Sequence, residues 1–205
     1  MLKCFVLVLS ALAVAGAFAA AAHLCKVAVR NRKELSAYAG QTVRVEKDFG
    51  KTLVVFYSLT GHTREIAGKI QKMTNADVFE IETAAPLPSG VRLHMTVRDQ
   101  IKTGDYPELK DGLPDPSAYD TVFVGAPVWW YTVATPVLSY LKKTDFLGKK
   151  VVPFSTQGSN AGTFFDDFAA KARNAVLLKG ERFNNVSAKY DAETENKIAV
   201  WLNSL

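Results

Sequence analysis

Continuous apolar runs alternate with amphipathic ones from residue 52 to the end of the chain. Leu53-Val54-Val55-Phe56-Tyr57 is an unbroken β-rich run, the pattern of a strand buried on both faces. Behind it, Arg64 to Met73 sets Ile66, Ala67, Ile70 and Met73 on one helical face. Asp77 to Ile81 reads as a second strand, Thr121 to Gly125 as a third and Lys150 to Phe154 as a fourth, and Ala175 to Phe183 contains a fifth. Arg92 to Lys102, Thr135 to Lys142 and Thr163 to Arg173 read as the helices between them, with Pro136 in the first turn of its helix. A last helix starts near Asp191, carries Glu193 and Glu195 in its first turn and turns Ile198, Trp201, Leu202 and Leu205 inward. Five β units alternating with helices predict an α/β fold, a doubly wound five-stranded parallel sheet with helices on both faces. One domain over residues 51–205 accommodates it, and no internal repeat is visible.

The chain has an ordinary globular composition, 48% hydrophobic and 22% charged, except at its start. Cys4 to Ala22 holds no charge, and Lys3 precedes it. Residues 1–25 therefore read as a signal peptide or an N-terminal membrane anchor. The Ala-rich run offers A-x-A cleavage sites at Ala17-Phe18-Ala19 and within Ala19 to Ala22, which favours export to a periplasmic or extracytoplasmic location. The alternative is an inner-membrane anchor through residues 4–22. Lys26, Arg30, Arg32 and Lys33 would then hold the domain on the cytoplasmic face. Residues 26–50 read as a basic linker punctuated by Gly40 and Gly50.

The net charge of +5 is unevenly placed. Seven of the 25 basic and three of the 20 acidic residues precede Lys51, which leaves 18 against 17 in the domain. The basic excess thus belongs to the leader and linker, where contact with an anionic membrane surface is expected. No aromatic-interleaved basic stripe points to nucleic acid. Cys4 and Cys25, both in or beside the leader, make no disulfide framework, and the scattered His23, His62 and His94 lack metal-ligand spacing.

In an open α/β sheet, ligands bind beyond the carboxyl ends of the strands. Three segments there carry candidate chemistry. Ser58-Leu59-Thr60-Gly61-His62-Thr63 puts three hydroxyls and a glycine at a helix N-terminus, a cradle for a phosphate or a plain polar cap. It has neither the G-K-[ST] of a nucleotide P-loop nor G-x-G-x-x-G. Pro127-Val128-Trp129-Trp130-Tyr131 follows the third strand, and three successive rings cannot all face one core, so at least one lines the sheet edge. Ser155 to Gly162 is small and polar, suited to reading the polar edge of a planar ligand. A nucleophile elbow and the acidic pocket of a phospho-accepting domain are both missing. Asp166 and Asp167 are neighbours on a helix, diverge by about 100° and read as solvent-facing.

Taken together, LVVFYSLTGHT, DVFEI, YDTVFVGAPVWW and DFLGKKVVPFSTQGS resemble the flavodoxin family, in particular bacterial flavodoxin-like proteins with a Trp-Trp loop. The resemblance spans Lys51 to Leu205 and implies a sheet of order 2-1-3-4-5 with FMN bound noncovalently. It implies that Ser58, Thr60, Gly61, His62 and Thr63 hold the FMN phosphate, that Pro127, Trp129, Trp130 and Tyr131 border the ring, and that Ser155, Thr156, Gln157 and Gly158 meet its pyrimidine edge or ribityl chain. Tyr131 departs from the pattern, since related sequences often carry Gly there. The expected function is electron transfer to redox partner proteins. One alternative is an FMN-dependent NAD(P)H or quinone oxidoreductase, which the near-neutral domain favours. The other is a flavodoxin-fold binding module without flavin.

Overall fold

The computed structural model describes residues 2–205, with side chains described from Val14 onward. The expectation for the leader therefore falls partly on side chains that are not described, that of Cys4 among them. Helix α1 spans Leu2–Ser36. Among the described residues no helix is long and apolar enough to cross a membrane.

The strands are β1 (Thr52–Phe56), β2 (Asp77–Glu80), β3 (Thr121–Trp129), β4 (Thr132–Val133), β5 (Lys150–Gln157), β6 (Val176–Leu177) and β7 (Glu181–Asn184). The remaining helices are α2 (His62–Thr74), α3 (Gly90–Thr103), α4 (Thr135–Lys143), α5 (Phe164–Lys171) and α6 (Asp191–Ser204). β2, β1, β3 and β5 lie side by side and run parallel, with β6 and β7 both paired in parallel to the far edge of β5. Setting aside β4, which only returns along β3, and joining β6 to β7, the order is the expected 2-1-3-4-5.

Alternate side chains of the central strands enter two separate cores, as strands covered on both faces require. Leu53, Val55, Val122 and Val124 pack with Val137, Leu138 and Leu141 of α4 and with Phe164 and Phe168 of α5. Val54, Phe56, Phe123, Val152 and Phe154 pack with Ile66 and Ile70 of α2 and with Ile198, Trp201 and Leu202 of α6. Gly125 belongs to this second layer for a steric reason. A Cβ there would fall 2.1 Å from the Phe154 ring.

Three strands differ from expectation. β3 and β5 run on to Trp129 and Gln157, so much of what the sequence suggested as loop is ladder. Ala126 pairs with Ser155, and Pro127 with Thr156. The fifth strand is broken. Val151 faces Leu177 and Phe154 faces Glu181, so β5 advances three residues while its partner advances four. The extra residue makes a bulge. Gly180 sits inside it, where a Cβ would meet Phe165 at 2.4 Å.

The segment expected as a linker is packed on the domain. Leu35 is buried, and Phe49 is buried with its ring edge-on to Phe123 at 5.5 Å. Between them the chain lies along α6. Asn196 donates to the carbonyls of Tyr38 and Gln41, and Asn203 donates to the carbonyl of Arg44. The two asparagines are seven positions apart, hence on one helix face.

Candidate functional site

The carboxyl ends of β1, β3 and β5 come together at one edge of the sheet. After β1, the chain turns through Ser58 to Gly61 and enters α2. Gly61 is the N-cap, at φ 95° and ψ −22°, a left-handed conformation that favours glycine. No side chain among the described residues caps this helix end. The first N–H groups of α2 lack intrahelical partners and point out of the helix N-terminus. The Ser58 hydroxyl accepts from the Gly61 N–H at 3.1 Å, which fixes the turn and leaves its own O–H to donate. Thr63 is buried, and its hydroxyl bonds that of Thr156 at 2.8 Å. One of the two must donate, which leaves the other an O–H for a third group. Thr60 is exposed and His62 half-buried. Arg64 points elsewhere, forked onto Glu80 at 2.8 and 2.6 Å.

The aromatic segment is a tight hairpin. Trp129 pairs with Thr132 across a two-residue turn, and its central residues Trp130 and Tyr131 have φ of 48° and 64°. Positive φ at both positions is the signature of a type I′ turn, which normally selects Asn or Gly. The strain is held from several sides. The Trp130 indole N–H donates to the His94 carbonyl at 3.1 Å. The Tyr131 carbonyl accepts from the Thr163 N–H at 2.8 Å. Asp167 accepts from Thr132 at 2.5 Å and from Thr163 at 2.6 Å. Asp167 is therefore half-buried and clamps the hairpin to α5, in contrast to the solvent-facing role expected of it. Trp129 turns inward, edge-on to Tyr57 at 5.5 Å, while Trp130 and Tyr131 stay largely exposed at the rim.

The third segment completes a cleft of about 370 Å³, lined by Trp130, Tyr131, His94 and the run Gln157 to Asn160. Ser155, Thr156 and Gln157 are buried and joined to other polar groups. Ser155 donates to Gln157 at 2.9 Å, and Gln157 donates to Asn184 at 3.2 Å. Gly158 faces open space. Gly162 has φ 57° and lies under the hairpin, where a Cβ would meet the Tyr131 carbonyl oxygen at 2.1 Å. A second groove of about 480 Å³ opens between the ends of β1 and β2, beside Tyr57 and Ser58. Burial, aided by the charge of Glu80, raises the pKa of the Tyr57 phenol and keeps it protonated.

This arrangement has relatives. The family model described as Flavodoxin matches residues 51–205. The chain belongs to the flavodoxin family. A flavoprotein in complex with FMN from Lactobacillus acidophilus NCFM superposes with a TM-score of 0.60 at 25% identity, over 65% of this chain and 93% of that one. A provisionally assigned flavoprotein from Bacteroides uniformis ATCC 8492 gives 0.60 at 26% identity, over 74% and 98%. Another from Bacteroides eggerthii DSM 20697 gives 0.62 at 24% identity, over 76% and 97%. No curated protein matches the sequence. In this flavodoxin-family chain the edge also gathers residues to which the sequence gives no part in the site. His94 comes from a helix read only as scaffold, and Asp167, read as solvent-facing, acts through Thr132, distant in sequence.

Proposed function

We propose that the protein binds FMN noncovalently along this edge and serves as a flavodoxin-type electron carrier. The carrying observation is the Thr63 to Thr156 bond of 2.8 Å, which joins an uncapped helix N-terminus to the carboxyl end of β5, whose next residue, Gln157, lines the aromatic-walled cleft. A phosphate monoester at the α2 N-terminus would be met by backbone N–H groups, the helix dipole and the Ser58, Thr60 and Thr63 hydroxyls, with Gly61 and His62 supplying main chain. A flat ring in the cleft would lie against Trp130 and Tyr131, with Pro127 and Trp129 behind them. Its polar edge would meet Ser155, Thr156, Gln157 and Gly158. The donors suit the group, because a dianion needs N–H and O–H partners and the ring needs an apolar wall beside amide edges. FMN would supply the electron storage, and the protein the binding and orientation.

A titration of the full chain with FMN, followed by flavin fluorescence, tests the reading. Saturable quenching is expected, and Trp130→Ala should weaken it roughly tenfold through lost stacking. No saturation at high micromolar FMN would leave a flavodoxin fold with another ligand or none. The near-neutral domain, 18 basic against 17 acidic residues, favours a second reading as an NAD(P)H or quinone oxidoreductase, since a carrier docks on partners through strong charge. Steady oxidation of NAD(P)H by the FMN-loaded protein would select it.

We also propose export through residues 1–25, on the strength of their sequence. The cleavage sites at Ala17 to Ala22 precede Leu35, so removal of the leader would spare the packed segment. Intact mass of the cellular protein decides it. A chain starting between Ala20 and His23 is expected, and the uncut chain in a membrane fraction would favour the anchor.

A further inference from the structure

The end of α1 lies outside residues 51–205, yet it reaches the cleft by two routes. Arg30 donates to the carbonyl of Ser159, a cleft-lining residue. Glu34 begins the other route. Its Oε1 accepts from Lys197 at 2.6 Å, and its Oε2 accepts from the Asn184 amide at 3.3 Å. Asn184 Oδ1 accepts from the Gln157 amide at 3.2 Å, and Gln157 Oε1 accepts from Ser155 at 2.9 Å. Lys197 is only 4% exposed and anchors the start of the chain. A buried ammonium needs acceptors, and it finds Glu34, the Arg182 carbonyl at 2.6 Å and Glu181 at 3.3 Å.

The direction of these bonds is forced from the α1 end. A carboxylate can only accept, whereas an amide has a donor end and an acceptor end. Asn184 must turn its NH₂ toward Glu34, so its oxygen faces Gln157. Gln157 must then turn its NH₂ toward Asn184 and its oxygen toward Ser155. We propose that Glu34 and Arg30 are positioning residues for the flavin: Glu34 sets the orientation of the cleft-lining Gln157 amide through Asn184, and Arg30 holds the Ser159 turn. The inference rests on the FMN reading above.

Glu34→Gln keeps the shape and reverses the forcing, because Lys197 can only donate and holds the amide oxygen, which leaves the NH₂ to face Asn184. The test compares dissociation constants for FMN and for riboflavin, which lacks the phosphate, in the full chain. Glu34→Gln should weaken both ligands by the same factor, about 3- to 10-fold. Arg30→Ala, a change at an exposed side chain, should act in the same sense, whereas Arg32→Ala on the exposed face should do nothing. Thr63→Val, at the phosphate end, should weaken FMN more than riboflavin. Melting of the ligand-free variants separates a purely structural role. A lowered Tm with unchanged constants for both ligands, or unchanged constants in Arg30→Ala as well, would overturn the inference while leaving FMN binding intact. A wild-type chain that takes neither ligand would overturn both.

Discussion

Tyr131 is the residue at which local preference and the site conflict most openly. A large ring at φ 64° in the second turn position carries a cost that glycine would not. Its side chain is 63% exposed, so little packing compensates. Strain of this kind persists where the surroundings fix it and the function uses it. Tyr131→Gly should therefore stabilise the ligand-free protein by about 1 kcal/mol, a rise in Tm of roughly 2–4 °C. The same change should weaken FMN by removing half of the exposed wall. A melting curve and an FMN titration on one preparation read both signs. A fall in Tm would mean that the Tyr131 ring stabilises the hairpin and that the strain argument is mistaken. At this scale the sequence was informative about residue type and less so about pose. Three adjacent rings implied that some must leave the core, and Trp130 and Tyr131 do. That Trp129 packs inward against Tyr57 depends on the hairpin, which neither residue type nor spacing encodes.

Elements were legible where burial repeats along the chain. β1, α2, α4 and α6 lie where apolar periodicity put them, because both core layers reward that periodicity directly. Element ends were not, because partners far away set them. β3 continues to Trp129 because β5 supplies a register through Pro127 and β4 then pairs with Val128 and Trp129. Proline at 127 and glycine at 125 read locally as strand breakers. In the sheet, Gly125 is what lets the Phe154 ring lie across β3. The broken fifth strand has the same origin, since the bulge at Gly180 follows the close approach of Phe165 from α5. The polar run Ser155 to Gln157 was identified as site but not as ladder. Its buried amide and hydroxyls became tolerable only through Asn184 and Thr63, which arrive from other parts of the chain.

At the level of the whole molecule, the family boundary at residue 51 is not the physical boundary of the domain. Charge and glycines made residues 26–50 look like a tether, because composition does not reveal two isolated apolar anchors. Leu35 and Phe49 are such anchors, 7% and 6% exposed, at either end of a strap fastened by Asn196 and Asn203. Cutting the chain at residue 51 removes both, uncovers the face of Phe123 in the second core layer and takes Leu35 away from beside Phe183 and Lys197. Each lost side chain is worth about 1.5–3 kcal/mol of burial. A 51–205 fragment should thus be about 3–6 kcal/mol less stable than a 26–205 chain, which keeps both anchors. Urea unfolding of the two fragments measures the difference. It should appear mainly as a lower midpoint, with only a small fall in slope, because few of the residues buried on folding are removed. Equal midpoints would mean that the strap rests on the domain without supporting it, and that the core closes equally well alone. A lower midpoint, with FMN affinity lost in the shorter fragment and kept in the longer, would tie the stability of the sheet edge to a segment that precedes the family's span.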